Sequence, residues 1–172
     1  MRKITAILLV VLIMSFILIG CGKGNTKEIP PLEEVYGSLQ EKVPSMTGYA
    51  IFDENNDPNG NLGRPGNYIA KGDFSDERVK ERDPEFKEEG DISLEGGTLE
   101  VFENKKDCQA RTDYLQKMSD PSLGALAVNQ YMYKYDLALF RVSYDLTASQ
   151  AEEYQKAMDE ILGQESEVVT YE

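Results

Sequence analysis

The oxygen-bearing side chains best spaced for chemistry lie in one stretch, Asp53-Glu54-Asn55-Asn56-Asp57-Pro58-Asn59-Gly60-Asn61. Oxygen ligands at every second position, followed by glycine, suit a hard cation such as calcium. Counting Asn55 as the first ligand makes Asp57 the third, Asn59 the fifth and Gly60 the sixth, but the twelfth position is Gly66, where a bidentate Glu is required. Asp53, Asn55, Asp57 and Asn59 are therefore candidate metal ligands in half of a calcium loop. The competing and default use is a rigid inter-strand turn, because Asn, Asp, Pro and Gly are the usual turn formers. A second constellation is Tyr131, Tyr133 and Tyr135, which share one face of a strand and offer either an aromatic contact surface or core packing.

Other chemistry is scarce. The chain has no His, which removes the commonest general base, the commonest zinc ligand and the Ser-His and Cys-His nucleophile pairs. Cys-x-x-Cys, Gly-x-Ser-x-Gly, Ser-x-x-Lys and the phosphate-binding glycine loop are also missing. Carboxylates are abundant, but abundance without spacing does not define an acid–base pair. The expectation is a protein that is not an enzyme and uses no cofactor.

The elements that must position these residues follow from periodicity. Leu32, Val35, Tyr36, Leu39 and Val43 form one apolar helical stripe entered through Pro30-Pro31. Residues 47–53 read as a strand ended by the turn-rich stretch, and residues 67–74 as a second strand. Between Asp76 and Asp91 stand eight acidic and four basic residues, a solvated excursion. Residues 96–103 form a strand, and Asn104 caps a helix over 105–118. Residues 130–135 and 137–143 form a hairpin, with Ala138, Phe140 and Val142 on one face. Thr147-Ala148-Ser149-Gln150 is a capping box and Leu146 with Ala151 a hydrophobic staple for a last helix that Gly163 ends. The predicted class is α+β, with an antiparallel or mixed sheet of about five strands and helices mainly on one face.

The amino terminus has the order of a secretory leader: Arg2 and Lys3, an apolar run from Ile4 to Ile19, then small-residue processing. Leu18-Ile19-Gly20-Cys21 resembles the lipobox of bacterial lipoproteins, which implies a diacylglyceryl group on Cys21 and cleavage just before it. A retained transmembrane helix is the alternative, and sixteen apolar residues are short for one. The expected organisation is a leader at 1–20, a lipidated Cys and tether at 21–31, a single domain at 32–163 and a frayed acidic tail at 164–172. Lipidation would leave Cys108 without a disulfide partner, and a buried free Cys packs as a small hydrophobe.

Asp57 to Tyr68, Gly96 to Asn104, Leu139 to Ser143, Leu146-Thr147 and Gln150-Ala151 together resemble a group of small Gram-positive lipoproteins with the pattern Asp-Pro-Asn-x-Leu-Leu-Gly-x-Pro-Gly-x-Tyr. Asn61 stands where that pattern has its first Leu. The resemblance covers roughly Thr47 to Gly163 and implies anchoring, a compact domain and a structured loop, without supplying a catalytic residue or a ligand.

Charge narrows the partners. The chain carries 18 basic and 31 acidic residues, a net charge of −13 that becomes −15 once Arg2 and Lys3 leave with the leader. Such a surface disfavours nucleic acid. The expected function is an extracytoplasmic lipoprotein on the outer face of the cytoplasmic membrane, with the membrane as its partner through Cys21. Its domain would be an interaction or binding module for an unknown protein or small molecule, with Arg64 and Tyr68 as candidate contact residues. The alternative is a calcium-dependent or small-ligand-binding lipoprotein that uses the Asp53–Asn61 loop.

Overall fold

Strand residues of opposite character alternate, and the two faces they create decide where each helix packs. The computed structural model describes residues 27–79, 95–120, 122–123 and 129–170. Its elements in chain order are α1 (Leu32–Lys42), β1 (Met46–Ile51), β2 (Tyr68–Asp76), β3 (Gly97–Phe102), α2 (Lys105–Met118), β4 (Gln130–Lys134), β5 (Ala138–Ser143), α3 (Ala148–Leu162) and β6 (Glu167–Val169). The strands form one sheet in the order β1-β2-β3-β5-β4-β6, with every neighbouring pair antiparallel. The fold is α+β as expected, with six strands in the sheet.

One face carries the large core. Leu99, Val101, Ala138, Phe140 and Val142 pack there against Val35, Tyr36 and Leu39 of α1 and Ala151, Tyr154 and Met158 of α3. Phe74 lies at the centre, with its ring 4.9 Å from Tyr154 and 5.7 Å from Phe140. Tyr36 is fully buried, and its hydroxyl donates to the Gly72 carbonyl and accepts from the Leu99 amide, tying α1 to β2 and β3 at once. The ring fits because Gly72 has no side chain: a Cβ there would stand 2.5 Å from Tyr36 Cε2 and 2.9 Å from the Ala50 carbonyl oxygen.

The opposite face is covered by α2, which packs Cys108 and Leu115 on Phe102, Leu139, Met132 and Tyr68. Asn104 caps this helix by accepting from the Asp107 amide at 3.0 Å. Helix α3 has the expected reciprocal capping box between Thr147 and Gln150, worth about 1 kcal/mol, and ends at Gly163 in the left-handed conformation (φ 55°).

The expectation of a frayed tail is corrected at Glu167–Val169, which forms β6 on the outer edge of β4. Val169 is buried against Met132, and the Thr170 carbonyl accepts from Gln116 Nε2 at 3.0 Å. Val168-Val169-Thr170 are β-formers, and a partner some thirty-five residues earlier in the chain gives this short run its order. Residues 1–26, which contain the leader and Cys21, and residues 80–94, most of the acidic excursion, lie outside the described residues. Among the described residues no helix is long and apolar enough to cross a membrane.

Two glycines of opposite environment test this packing. Gly72→Ala forces the Tyr36 ring or the β1 backbone to move and should cost about 1–3 kcal/mol. Gly37→Ala, in the middle of α1 with nothing within 4 Å of the added carbon, should stabilise by about 0.5–1 kcal/mol. Thermal or urea unfolding of both variants reads the opposite signs.

Candidate functional site

The chain leaving β1 makes two successive turns, each closed by an aspartate. In the first, Asp53 Oδ1 accepts from the amides of Asn55 (2.7 Å) and Asn56 (3.2 Å), and the Asp57 amide donates to the Asp53 carbonyl (3.0 Å). In the second, the Gly60 amide donates to the Asp57 carbonyl (2.9 Å) and the Asp57 side chain turns inward. Gly63 passes close to Glu54 with φ 74°, where a Cβ would stand 2.6 Å from Glu54 Oε1; glycine is the residue that meets both demands.

Asp57 is the hub. Its Oδ2 accepts from the Tyr68 hydroxyl at 2.7 Å and from the amides of Asn61 (2.8 Å) and Leu62 (3.0 Å). Its Oδ1 accepts from Lys71 Nζ at 3.2 Å and the Asn59 amide at 3.3 Å. The carboxylate is wholly inaccessible and the Lys71 side chain is 3% exposed. Burial alone would raise the Asp57 pKa, but hydrogen bonds from Tyr68 and the amides of Asn61, Asn59 and Leu62 outweigh it and hold the carboxyl well below the usual carboxylate range. The Lys71 ammonium also lies 4.7 Å from the Phe52 ring centre and 5.9 Å from that of Tyr68, a cation–π arrangement.

Lys71 opens a row of buried charge across the α2 face of the sheet. It lies opposite Glu100 in the β2–β3 register. Fully buried Glu100 takes two parallel bonds from Arg111 of α2, at 3.0 and 2.7 Å, and one at 3.2 Å from Arg141 of β5. Arg141 also donates to Gln130 at 2.7 Å. Asp73, two residues beyond Lys71, is raised in pKa by burial, against the opposing pull of Lys71, Thr98 and Arg141. Asp57, Asp73 and Glu100 thus share this face with Lys71, Arg111 and Arg141, three acidic and three basic side chains.

These contacts decide what the expected site residues do. Asp53 is occupied with turn amides and Asp57 is saturated by five donors, one of them a cation, while Asn55 and Asn59 are exposed on the two turns. The two turns close in series, and among the described residues no three His, Cys, Asp or Glu side chains are grouped to hold a metal ion. Arg64 is exposed on the loop between Gly60 and Tyr68. Tyr68, expected to meet a partner, is instead fully buried and serves as a pillar under the loop. Tyr133 and Tyr135 are buried too, and Tyr131 is partly buried, stacked 4.9 Å from Tyr144. Cys108 is buried, and burial pushes its thiol up to about 12, so it packs rather than reacts.

Sequence pattern alone does not single out Lys71, Glu100, Arg111 and Arg141. The signal of Lys71, Glu100 and Arg141 is a charged residue within a strand, which also describes an ordinary solvated face until α2, carrying Arg111, is placed over it. No family model, no curated protein and no solved structure matches this chain.

The arrangement positions a loop. It leaves Asp57 no free lone pair for a substrate proton or a metal ion. Removing one partner of a buried ion pair costs about 3–5 kcal/mol, and Asp57→Ala should lose that much in urea unfolding. Because the folded-state pKa of Asp57 is depressed, its stabilisation is complete above about pH 4 and declines as pH falls further. The acid-induced loss of stability between pH 4 and pH 2 should therefore be smaller in Asp57→Asn than in wild type. Millimolar calcium should leave the wild-type melting temperature unchanged, since the ion would have to displace Lys71; a calcium-dependent rise that disappears in Asp57→Ala would restore the metal reading.

Proposed function

We propose that this chain is a lipoprotein held on the outer face of a bacterial cytoplasmic membrane by diacylglycerol on Cys21. Its domain acts as a non-enzymatic interaction or binding module. The observation that carries the anchoring is the order Arg2-Lys3, apolar run, Leu18-Ile19-Gly20-Cys21. Two acyl chains hold a protein stably where one holds it only reversibly.

The binding role rests on how the domain uses its polar groups. Asp57 and Glu100 are engaged in positioning, and the thiol of Cys108 is buried. A short loop clamped to the sheet reaches solvent beside them, with Arg64 at its surface. Loops held in this way commonly carry recognition. The partner is an unidentified protein or small molecule, and the charge of −13 disfavours nucleic acid.

Metabolic labelling with an alkyne fatty acid tests the anchor. The full chain should take up label and require detergent for extraction, whereas Cys21→Ala should remain unlabelled and keep its leader. Equal labelling of both, or of neither, contradicts the proposal. A photo-crosslinker placed at position 64 of the anchored chain should trap a discrete adduct that the same group at exposed Glu33 does not. Matching adducts at both positions would remove the loop from the account.

A further inference from the structure

Asn59-Gly60 is the one place in the chain where an asparagine precedes a glycine; the other seven asparagines precede larger residues. The pairing matters chemically. A backbone nitrogen that belongs to a residue without a Cβ is open to the side-chain amide before it, so the Gly60 nitrogen can reach Asn59 Cγ and close a five-membered succinimide. Asn59 is exposed on the second turn, with water at hand for the step that follows.

In the closed loop the attacking nitrogen is held. The Gly60 amide donates to the Asp57 carbonyl at 2.9 Å, and the Asn59 amide donates to Asp57 Oδ1 at 3.3 Å. Gly60 has φ 59°, a left-handed conformation that glycine adopts without strain. The side chain of Asn59 is engaged as well. Burial and the bond to Asp57 raise the Tyr68 pKa, whereas the Asn59 side chain acts to lower it, the sign of an amide donating toward the phenol oxygen. Arg64 lies close to the same turn, because a Cβ on Gly60 would stand 3.8 Å from Arg64 Nη2. A guanidinium there favours the deprotonated amide that attacks, so the restraint on the reaction comes from the Asp57 clamp.

We propose that Asn59 is a self-modification site, deamidated by attack of the Gly60 nitrogen when the Asp57 loop opens and protected while the loop is closed. Opening frees the Gly60 N–H. The nitrogen gives up its proton and bonds to Asn59 Cγ; the side-chain nitrogen takes up a proton and leaves as ammonia. Water then adds to either ring carbonyl and leaves aspartate or isoaspartate at position 59. No co-reactant besides water is needed. The change is one-way, and it acts on the clamp itself. The amide donor beside Tyr68 is replaced by a carboxylate near the buried one of Asp57, a like charge that disfavours the ionised pair. Isoaspartate also routes the backbone through one extra carbon. The modified loop is held less tightly than the original.

Deamidation and hydrogen exchange of the Gly60 amide require release of the same N–H, which makes the two rates comparable. The full chain in mild detergent is held at mildly alkaline pH and followed by peptide mapping with mass spectrometry, beside a synthetic peptide of residues 53–68 as the open reference. Asn59 should convert about 100-fold more slowly in the folded chain than in the peptide, the scale set by opening a buried ion pair. The Gly60 amide should be protected from exchange by a matching factor. Tyr68→Phe, which removes one bond to the buried carboxylate, should speed conversion about tenfold. Asn59→Asp, which carries the charge of the product, should melt at a lower temperature than wild type and exchange faster at Asn61 and Leu62. Conversion of the folded chain at the rate of the peptide, protection of Gly60 that does not match that of Asn59, no faster conversion in Tyr68→Phe, or wild-type melting and exchange in Asn59→Asp overturns the inference.

Discussion

Burying the carboxylate of Asp57 is the constraint from which the rest of the site follows. An ionised carboxylate removed from water is tolerated only when paired and fully hydrogen-bonded. Here its five donors come from three places: the loop amides of Asn59, Asn61 and Leu62, the hydroxyl of Tyr68 at the start of β2, and the ammonium of Lys71 further along that strand. They converge only if the loop folds back over the strand that follows it. The same fold-back seats Leu62 against the smaller core and sets the Tyr68 ring edge-on to Phe102 at 6.5 Å. Loop shape, strand start and core packing are thus a single solution.

The charged row extends that logic across the sheet. Glu100 lies on β3, all six of whose residues are buried, and it takes Arg111 from the helix above and Arg141 from the strand beside it. Apolar replacements of similar volume are often as stable as a buried ion network, so stability alone does not account for this one. What the row adds is direction, since a bidentate guanidinium fixes the angle at which α2 crosses the sheet. The aromatic core around Phe74 supplies most of the apolar burial on the other face. Both faces of the sheet carry apolar core, and the α2 face also holds α2 and the Asp57 loop in place.

Local signals make much of the fold legible in the residues themselves. The Asn104 cap, the Thr147–Gln150 capping box and Gly163 mark helix ends by chemistry within four residues of each boundary. Alternation in Ala138, Phe140 and Val142 marks the buried face of β5. What stays illegible is long-range. β6 is a strand because β4 offers it an edge; Val168-Val169-Thr170 are β-formers, but so short a run does not say which strand it joins. Tyr68, at the start of a predicted strand, reads as a contact residue until Asp57, eleven residues earlier, turns inward to meet its hydroxyl. Glu100 and Arg141 read as a solvated face until α2 covers them. The alternating oxygen residues from Asp53 to Asn61 stand out in the sequence, but the geometry uses Asp57 as an internal clamp.

Amide hydrogen exchange at Asn61 and Leu62 tests the central claim most directly. Loop amides in contact with solvent exchange by local fluctuation, whereas amides locked to a buried group exchange only when the structure holding them opens. If Asp57 clamps the loop, the amides of Asn61 and Leu62 exchange at rates close to those of β2. They should exchange far more slowly than the amide of Asn55, whose acceptor Asp53 is itself exposed. Exchange of all three at the same fast rate would mean that the loop is not held by Asp57 and that the account built on this buried carboxylate is wrong.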